Sequence, residues 1–180
     1  RDRSLGRDLM LAINRQATAN PINLVASVIL TANNQVMAEQ QMLNQLRCHQ
    51  QLINDLGAAA HLTNPTTQPS RIVEIAEDLG WLDRESHAYG DLLALKSINA
   101  VMLTWYRNNI LHLLALPSLI ACLLVNRRRG VKTGQLQQSI ALIFPYIAQE
   151  LSAWVPETTD SVLDSMARLD LIRREDDVIL

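Results

Sequence analysis

The chain has 180 residues, enough to bury a core as one domain or as two small ones. It is rich in Leu, Ile, Ala, Asn and Gln and poor in aromatics, Gly and Pro, a profile that favours helices because straight-chain residues and alanine lose little entropy there. The net charge of −2 argues against a chain whose main role is coating nucleic acid. Cys48 and Cys122 lie far apart in apolar, helical contexts, with no C-x-x-C and no Cys/His pair at ligand spacing. The pattern thus argues against a zinc site and fits a reduced, cytosolic compartment. The opening residues RDRSLGRDLM lack an initiator Met and an apolar signal region, so the chain reads as a piece of a longer protein.

Helical periodicity dominates in chain order. A first helix is expected from Gly6 to Ala19, a second after Pro21 from Ile22 to Ala32, and a third from Ala38 to Leu56. Gly57 ends the third, and a polar loop with Asn64, Pro65 and Pro69 follows. Ser70 is the expected N-cap of a short helix from Arg71 to Leu79. Trp81 to Leu95 reads as a β-hairpin around a polar turn containing Gly90. A long apolar helix is expected from Ala100 to Asn126, ending in Arg127, Arg128, Arg129 and Gly130. Thr133 is the expected cap of a helix from Gly134 to Ala153, which Pro156 follows as a breaker. Asp160 then caps a short helix to Leu169, and LIRREDDVIL closes the chain as another hairpin.

The second half resembles the first. Val36 to Leu56 lies over Val131 to Leu151 without a gap, and Arg84-Glu85 lies over Arg174-Glu175, which makes the first intervening loop the longer. The expectation is a mostly α fold: a helical bundle of two similar helix–hairpin, winged-helix-like units with short β-hairpins. The units would span residues 1–98 and 99–180, packed as one compact C-terminal domain of a longer protein.

The segment from Leu103 to Gly130 sets Tyr106, Arg107, Asn108, Asn109 and His112 at the head of the most apolar stretch of the chain. On one helix, Asn108 and His112 would share a face, letting Asn108 orient the imidazole, while Arg107 could grip a carboxylate or phosphate. These groups either contact a ligand or another domain, or satisfy nearby loop carbonyls. The apolar run Ile110–Val125 is interrupted by His112, Pro117 and Ser118 and falls short of the roughly 20 residues of a membrane span. It reads as a buried helix that Pro117 kinks or divides. Arg127, Arg128 and Arg129 before Gly130 suit a helix C-terminus, with Gly in the left-handed cap position. The sharper reading is a patch for anionic lipid headgroups or DNA phosphates.

Catalytic constellations are scarce. There is no G-x-S-x-G and no phosphate-cradling glycine loop, and His49, His61, His87 and His112 are scattered. His87 with Asp91 reads as a solvated pair in the hairpin turn, and Glu74 with Asp78 as an exposed, solvated helix face. No catalytic residue, metal site or cofactor is assigned.

Ile13, Asn14, Asn20, Asn23 and Leu24 form I-N-x-x-x-x-x-N-x-x-N-L, and Tyr106, Arg107, Asn108, Asn109, His112 and Pro117 form Y-R-N-N-x-x-H-x-x-x-x-P. These two segments resemble the C-terminal region of the bacterial membrane-bound glycerol-3-phosphate acyltransferases, and the similarity runs from Leu9 to Leu180. The resemblance implies a parent enzyme of phospholipid synthesis. Such an enzyme transfers an acyl group from acyl-CoA or acyl-carrier protein to the 1-hydroxyl of glycerol 3-phosphate, at the cytoplasmic face of the inner membrane and in peripheral contact with it. The family's catalytic signature is H-x-x-x-x-D, with His as general base. Here the fifth residues after the four histidines are Asn54, Thr66, Leu92 and Pro117, so this chain is expected to be the non-catalytic portion. Arg107, Asn108 and His112 would then brace the acyltransferase domain of the same polypeptide or its substrate pocket. The alternative is a tandem winged-helix module that binds DNA or a protein partner. Against DNA, the candidate recognition helix SVLDSMARL has one basic and one acidic residue, where a DNA-reading helix should carry more Arg, Lys or Asn.

Overall fold

The computed structural model describes residues 2–55, 67–96, 99–127, 129–153 and 159–180. Within them the helices are α1 (Asp2–Arg15), α2 (Pro21–Ile29), α3 (Glu39–Ile53), α4 (Pro69–Asp78), α5 (Ala100–Asn108), α6 (Leu111–Leu124), α7 (Thr133–Leu151) and α8 (Asp160–Arg168). The strands are β1 (Val36–Ala38), β2 (Leu82–Glu85), β3 (Leu92–Leu95), β4 (Val131–Lys132), β5 (Arg174–Glu175) and β6 (Val178–Ile179). The expected mostly helical fold with short hairpins is what the chain adopts. It forms two compact units, one of residues 17–111 and one joining 1–16 to 112–180. This differs from a division between 98 and 99, because α5 packs on α2 and so belongs with the first unit.

The first unit is built around α2. Asn20 caps it: its side-chain oxygen accepts from the Asn23 backbone N–H at 3.0 Å, and Asn23 Oδ1 accepts from the Asn20 N–H at 2.9 Å. Pro21 sits in the first turn, where its missing N–H costs nothing. From Ile22 to Ile29 nearly every residue is buried, and α3, α4 and α5 all pack against this helix. α3 buries Met42, Leu46, Gln50 and Ile53, and α4 buries Ile72, Val73 and Ala76, each as one helical stripe. β1, β3 and β2 make an antiparallel sheet in that order, with Leu82 opposite Leu95 and Met37 opposite Leu93, all four buried.

The second unit repeats this plan. Its sheet runs β4–β6–β5, with Val131 opposite Ile179 and Glu175 opposite Val178. The ladders define which residues correspond. The Glu39 N–H donates to the Asp91 carbonyl at 2.9 Å, as the Thr133 N–H does to Asp177 at 2.8 Å. Buried Met42, Leu46 and Gln50 then match buried Leu136, Ile140 and Phe144. Buried Ile72, Val73 and Ala76 match Val162, Leu163 and Met166. Gly80 and Asp170 both turn with positive φ, at 74° and 54°. The gapless overlay of Val36 on Val131 is therefore one residue out of register: the partner of Val131 is Met37. The overlay of Arg84-Glu85 on Arg174-Glu175 agrees with the hairpin pairing.

Several local expectations change. The helix expected from Ala100 to Asn126 is two, because it ends at Asn108. Asn side chains compete for backbone groups, and the Ile110 N–H bonds to the Arg107 carbonyl at 3.1 Å in a tightened turn. Pro69, after Gln68 as N-cap, opens α4 in place of a Ser70 cap, and Thr133 and Asp160 are first helical residues, not caps. α1 ends at Arg15, short of Ala19. α6 stops at Leu124, and Asn126 (φ 66°) takes the left-handed turn that the arginine run and Gly130 were expected to supply. Gly130 is instead required beside β6. Its φ is 69°, and an added Cβ would lie 2.5 Å from Val178 Cγ1 and 2.7 Å from the Ile179 carbonyl oxygen. Gly57, Asn64, Pro65, Arg128 and Pro156 lie outside the described residues.

Candidate functional site

The two asparagine-rich segments hold the ends of helices. In the first unit, Asn23 is 2% exposed, and its Nδ2 donates to the Tyr106 carbonyl at 2.7 Å, in the last turn of α5. The half-buried Tyr106 ring meets Trp81 edge-on, with centroids 5.6 Å apart at 73°. Arg107 turns back on its neighbour: Nη2 and Nε donate to Asn108 Oδ1 at 3.0 and 3.3 Å. Arg107 is half-buried, while Asn108 and Asn109 are exposed. Val101, Met102 and Trp105 of the same helix are exposed as well, Trp105 at 72%. Asn108 and Asn109, with the half-buried Arg107 beside them, thus form a polar rim at the end of an exposed apolar stripe.

His112 belongs to the second unit and acts elsewhere. Its Nε2–H donates to the Asn14 carbonyl at 3.0 Å, and Asn14 Nδ2 donates to the carbonyls of Leu151 and Ser152 at 2.9 and 3.1 Å. These close the C-terminus of α7, where Ser152 adopts φ 48°. The continuous helix that would have set Asn108 and His112 on one face stops at Asn108, so that arrangement is corrected. Arg127 and Arg129 are exposed, and Arg129 with Lys132 lines an open concavity at the start of α7 beside Gln135, Gln138 and Asp177.

Two further polar groupings escaped the sequence reading. Arg84 binds Glu39, Glu77 and Asp91 at once, at 2.9, 2.8 and 3.0 Å. The pairing of Arg84-Glu85 with Arg174-Glu175 was its only trace; Arg174 likewise pairs with Asp164 of α8. His49, largely buried, places Nδ1 2.9 Å from Ser27 Oγ, and burial pushes its pKa down. Ser27 Oγ donates to the Leu24 carbonyl at 2.7 Å, so its proton is engaged and this pair links helices without activating a nucleophile. Among the described residues no set of three His, Cys, Asp or Glu side chains could hold a metal ion, and no single helix is long and apolar enough to cross a membrane.

Two four-helix units, each with a small three-stranded antiparallel sheet and with helix ends fastened by asparagines, define a duplicated, mostly helical region. Residues 3–179 match the family described as glycerol-3-phosphate acyltransferase C-terminal region. The chain is also 31% identical over 179 residues to a glycerol-3-phosphate acyltransferase of Pseudomonas putida (strain W619). That match takes in 97% of this chain and 22% of the relative, so the chain spans about a fifth of the relative's length. The chain belongs to the glycerol-3-phosphate acyltransferase C-terminal region family.

Proposed function

We propose that this chain is the non-catalytic helical support of an enzyme that transfers an acyl group from acyl-CoA or acyl-carrier protein to glycerol 3-phosphate. The setting is phospholipid synthesis, in peripheral contact with the cytoplasmic face of the inner membrane. One observation carries the reading. Of the matched motif residues, Asn14, Asn20, Asn23 and His112 engage backbone groups that fix helix ends, whereas Asn108 and Asn109 are open to solvent and the half-buried Arg107 is held against Asn108 beside them. The first set builds the region, and the second docks on the acyltransferase domain of the same polypeptide. The exposed Arg127 and Arg129 are suited to anionic headgroups. Arg107→Ala in the full-length enzyme tests the docking role. Acyl transfer to glycerol 3-phosphate is expected to fall while the thermal midpoint holds; unchanged activity removes the idea.

A further inference from the structure

The repeat lets each unit report on the other. Cys48, Leu52 and His49 share one face of α3, since Leu52 falls between the other two around the helix. In the first unit this face is closed: α2 packs on α3, His49 bonds to Ser27 of α2, and Leu52 is 5% exposed. In the register set by the strand ladders, the corresponding residues of α7 are Leu142, Tyr146 and Ile143. These are larger, or equally apolar, yet they lie open, Leu142 at 69% and Tyr146 at 73% exposure. α6 holds the place of α2 in chain order, but it makes no comparable packing on α7. Exposed Ala141 and Pro145 extend the patch, and no charged side chain lies between Lys132 and Glu150. Contiguous apolar surface of this kind marks an interaction site.

We propose that the Leu142–Ile143–Tyr146 face of α7 receives a short apolar helix from the part of the acyltransferase polypeptide beyond these 180 residues, seated as α2 is seated on α3. The first unit supplies the precedent for the occupant: α2 is a nine-residue helix, PINLVASVI, with no charge. At the position of His49 the second unit has Ile143, so the incoming helix needs no counterpart of the Ser27 hydroxyl. The P. putida relative is far longer than the segment matched here, which leaves ample chain to provide the helix. The inference rests on the chain acting within a longer acyltransferase, and not on any role of Arg107.

The test is made in the full-length enzyme. A photoreactive phenylalanine analogue replaces Tyr146 or, separately, Leu142, and, as a reference, the exposed Arg173. At the two α7 positions the expected result is an intramolecular cross-link to a peptide outside these 180 residues, absent for the Arg173 probe. Cross-links to a second copy or to lipid, or none, would overturn the proposal. A second measurement uses Leu142→Glu combined with Tyr146→Glu. Limited proteolysis should then release the C-terminal region sooner than in the unsubstituted enzyme; an unchanged time course counts against the site. Acyl transfer assayed on the same preparations reads the functional proposal separately. An intramolecular cross-link in protein with no acyl transfer would uphold the docking helix and overturn the support role.

Discussion

At Arg84 one guanidinium gathers carboxylates from α3, α4 and the turn before β3. Glu77 takes both ends of the fork, at 2.8 and 3.0 Å, while Glu39 and Asp91 share Nη1. Hydrogen bonds donated by Arg84 to Glu77, then to Asp91, raise the arginine pKa further, and those that Asp91 accepts from Arg84, then Ser86, lower its own. The site is partly exposed and solvent screens it, so Arg84→Ala should lower stability by about 1 kcal/mol. Because the Asp91 pKa is depressed on folding, its contribution is present above the ordinary carboxyl value of 3.8 and is lost as pH falls through the lower folded value. Urea midpoints measured from neutral pH into that acid range should fall less steeply in the variant; parallel curves would remove the clamp from the account. His49 works in the opposite chemical sense. Burial disfavours its charged form, so below the ordinary value of 6.5 the unfolded chain binds the extra proton and stability declines until the folded pKa is passed. His49→Gln should flatten the urea midpoint across that window, and a retained slope would assign it to other groups.

At the scale of elements, Asn23 ties α2 to α5. Its backbone and side chain complete the capping box, and its amide reaches the Tyr106 carbonyl. Asn23→Ala removes half the box, worth about 1 kcal/mol, and leaves a partner carbonyl unsatisfied at a further cost of about 1–3 kcal/mol. Asn23→Asp retains the acceptor toward the Asn20 N–H but cannot donate to Tyr106, and it buries a carboxylate, so its loss should be at least as large. Chemical denaturation of both variants checks this; an aspartate variant as stable as wild type would discard the amide bridge. The start of α2 was legible because Pro21 is a local signal, although the Asn20 cap before it was not read. The bridge was not, since nothing in the spacing of Asn23 and Tyr106 announces a contact between distant segments. The break between α5 and α6 was hidden for a related reason. The apolar pattern continues through Ile110, which is buried, and only the Asn108–Asn109 pair hints at the turn. The cap at Arg129–Gly130 misled because Gly130 serves close backbone packing against β6, which a linear sequence does not display.

Over the whole molecule, the duplicated plan was readable from two hairpins carrying the same Arg-Glu pair, but its register was not. Matching Val36 to Val131 by identity overlooks that strand ladders, not side-chain likeness, fix equivalence. A resemblance to winged helices alone could suggest nucleic-acid binding through the short helix that precedes each hairpin, α4 and α8. Their surfaces argue otherwise. α4 exposes Arg71 with Glu74 and Asp78, and α8 exposes Arg168 with Asp160 and Asp164, one base against two acids in each case. Arg71 is further committed to Glu74 at 2.8 Å and Arg168 to Ser165 Oγ at 3.0 Å. Neither helix can offer a groove-facing row of cations, and phosphates approaching the acids would be repelled. The expected outcome is no retention of short duplex DNA even at low ionic strength. Reversing the acids tests the physical cause: Glu74→Lys with Asp78→Lys should create weak binding that disappears as salt is raised. Tight, salt-sensitive binding by the unaltered chain would instead show that fold, and not surface charge, governs its choice of partner.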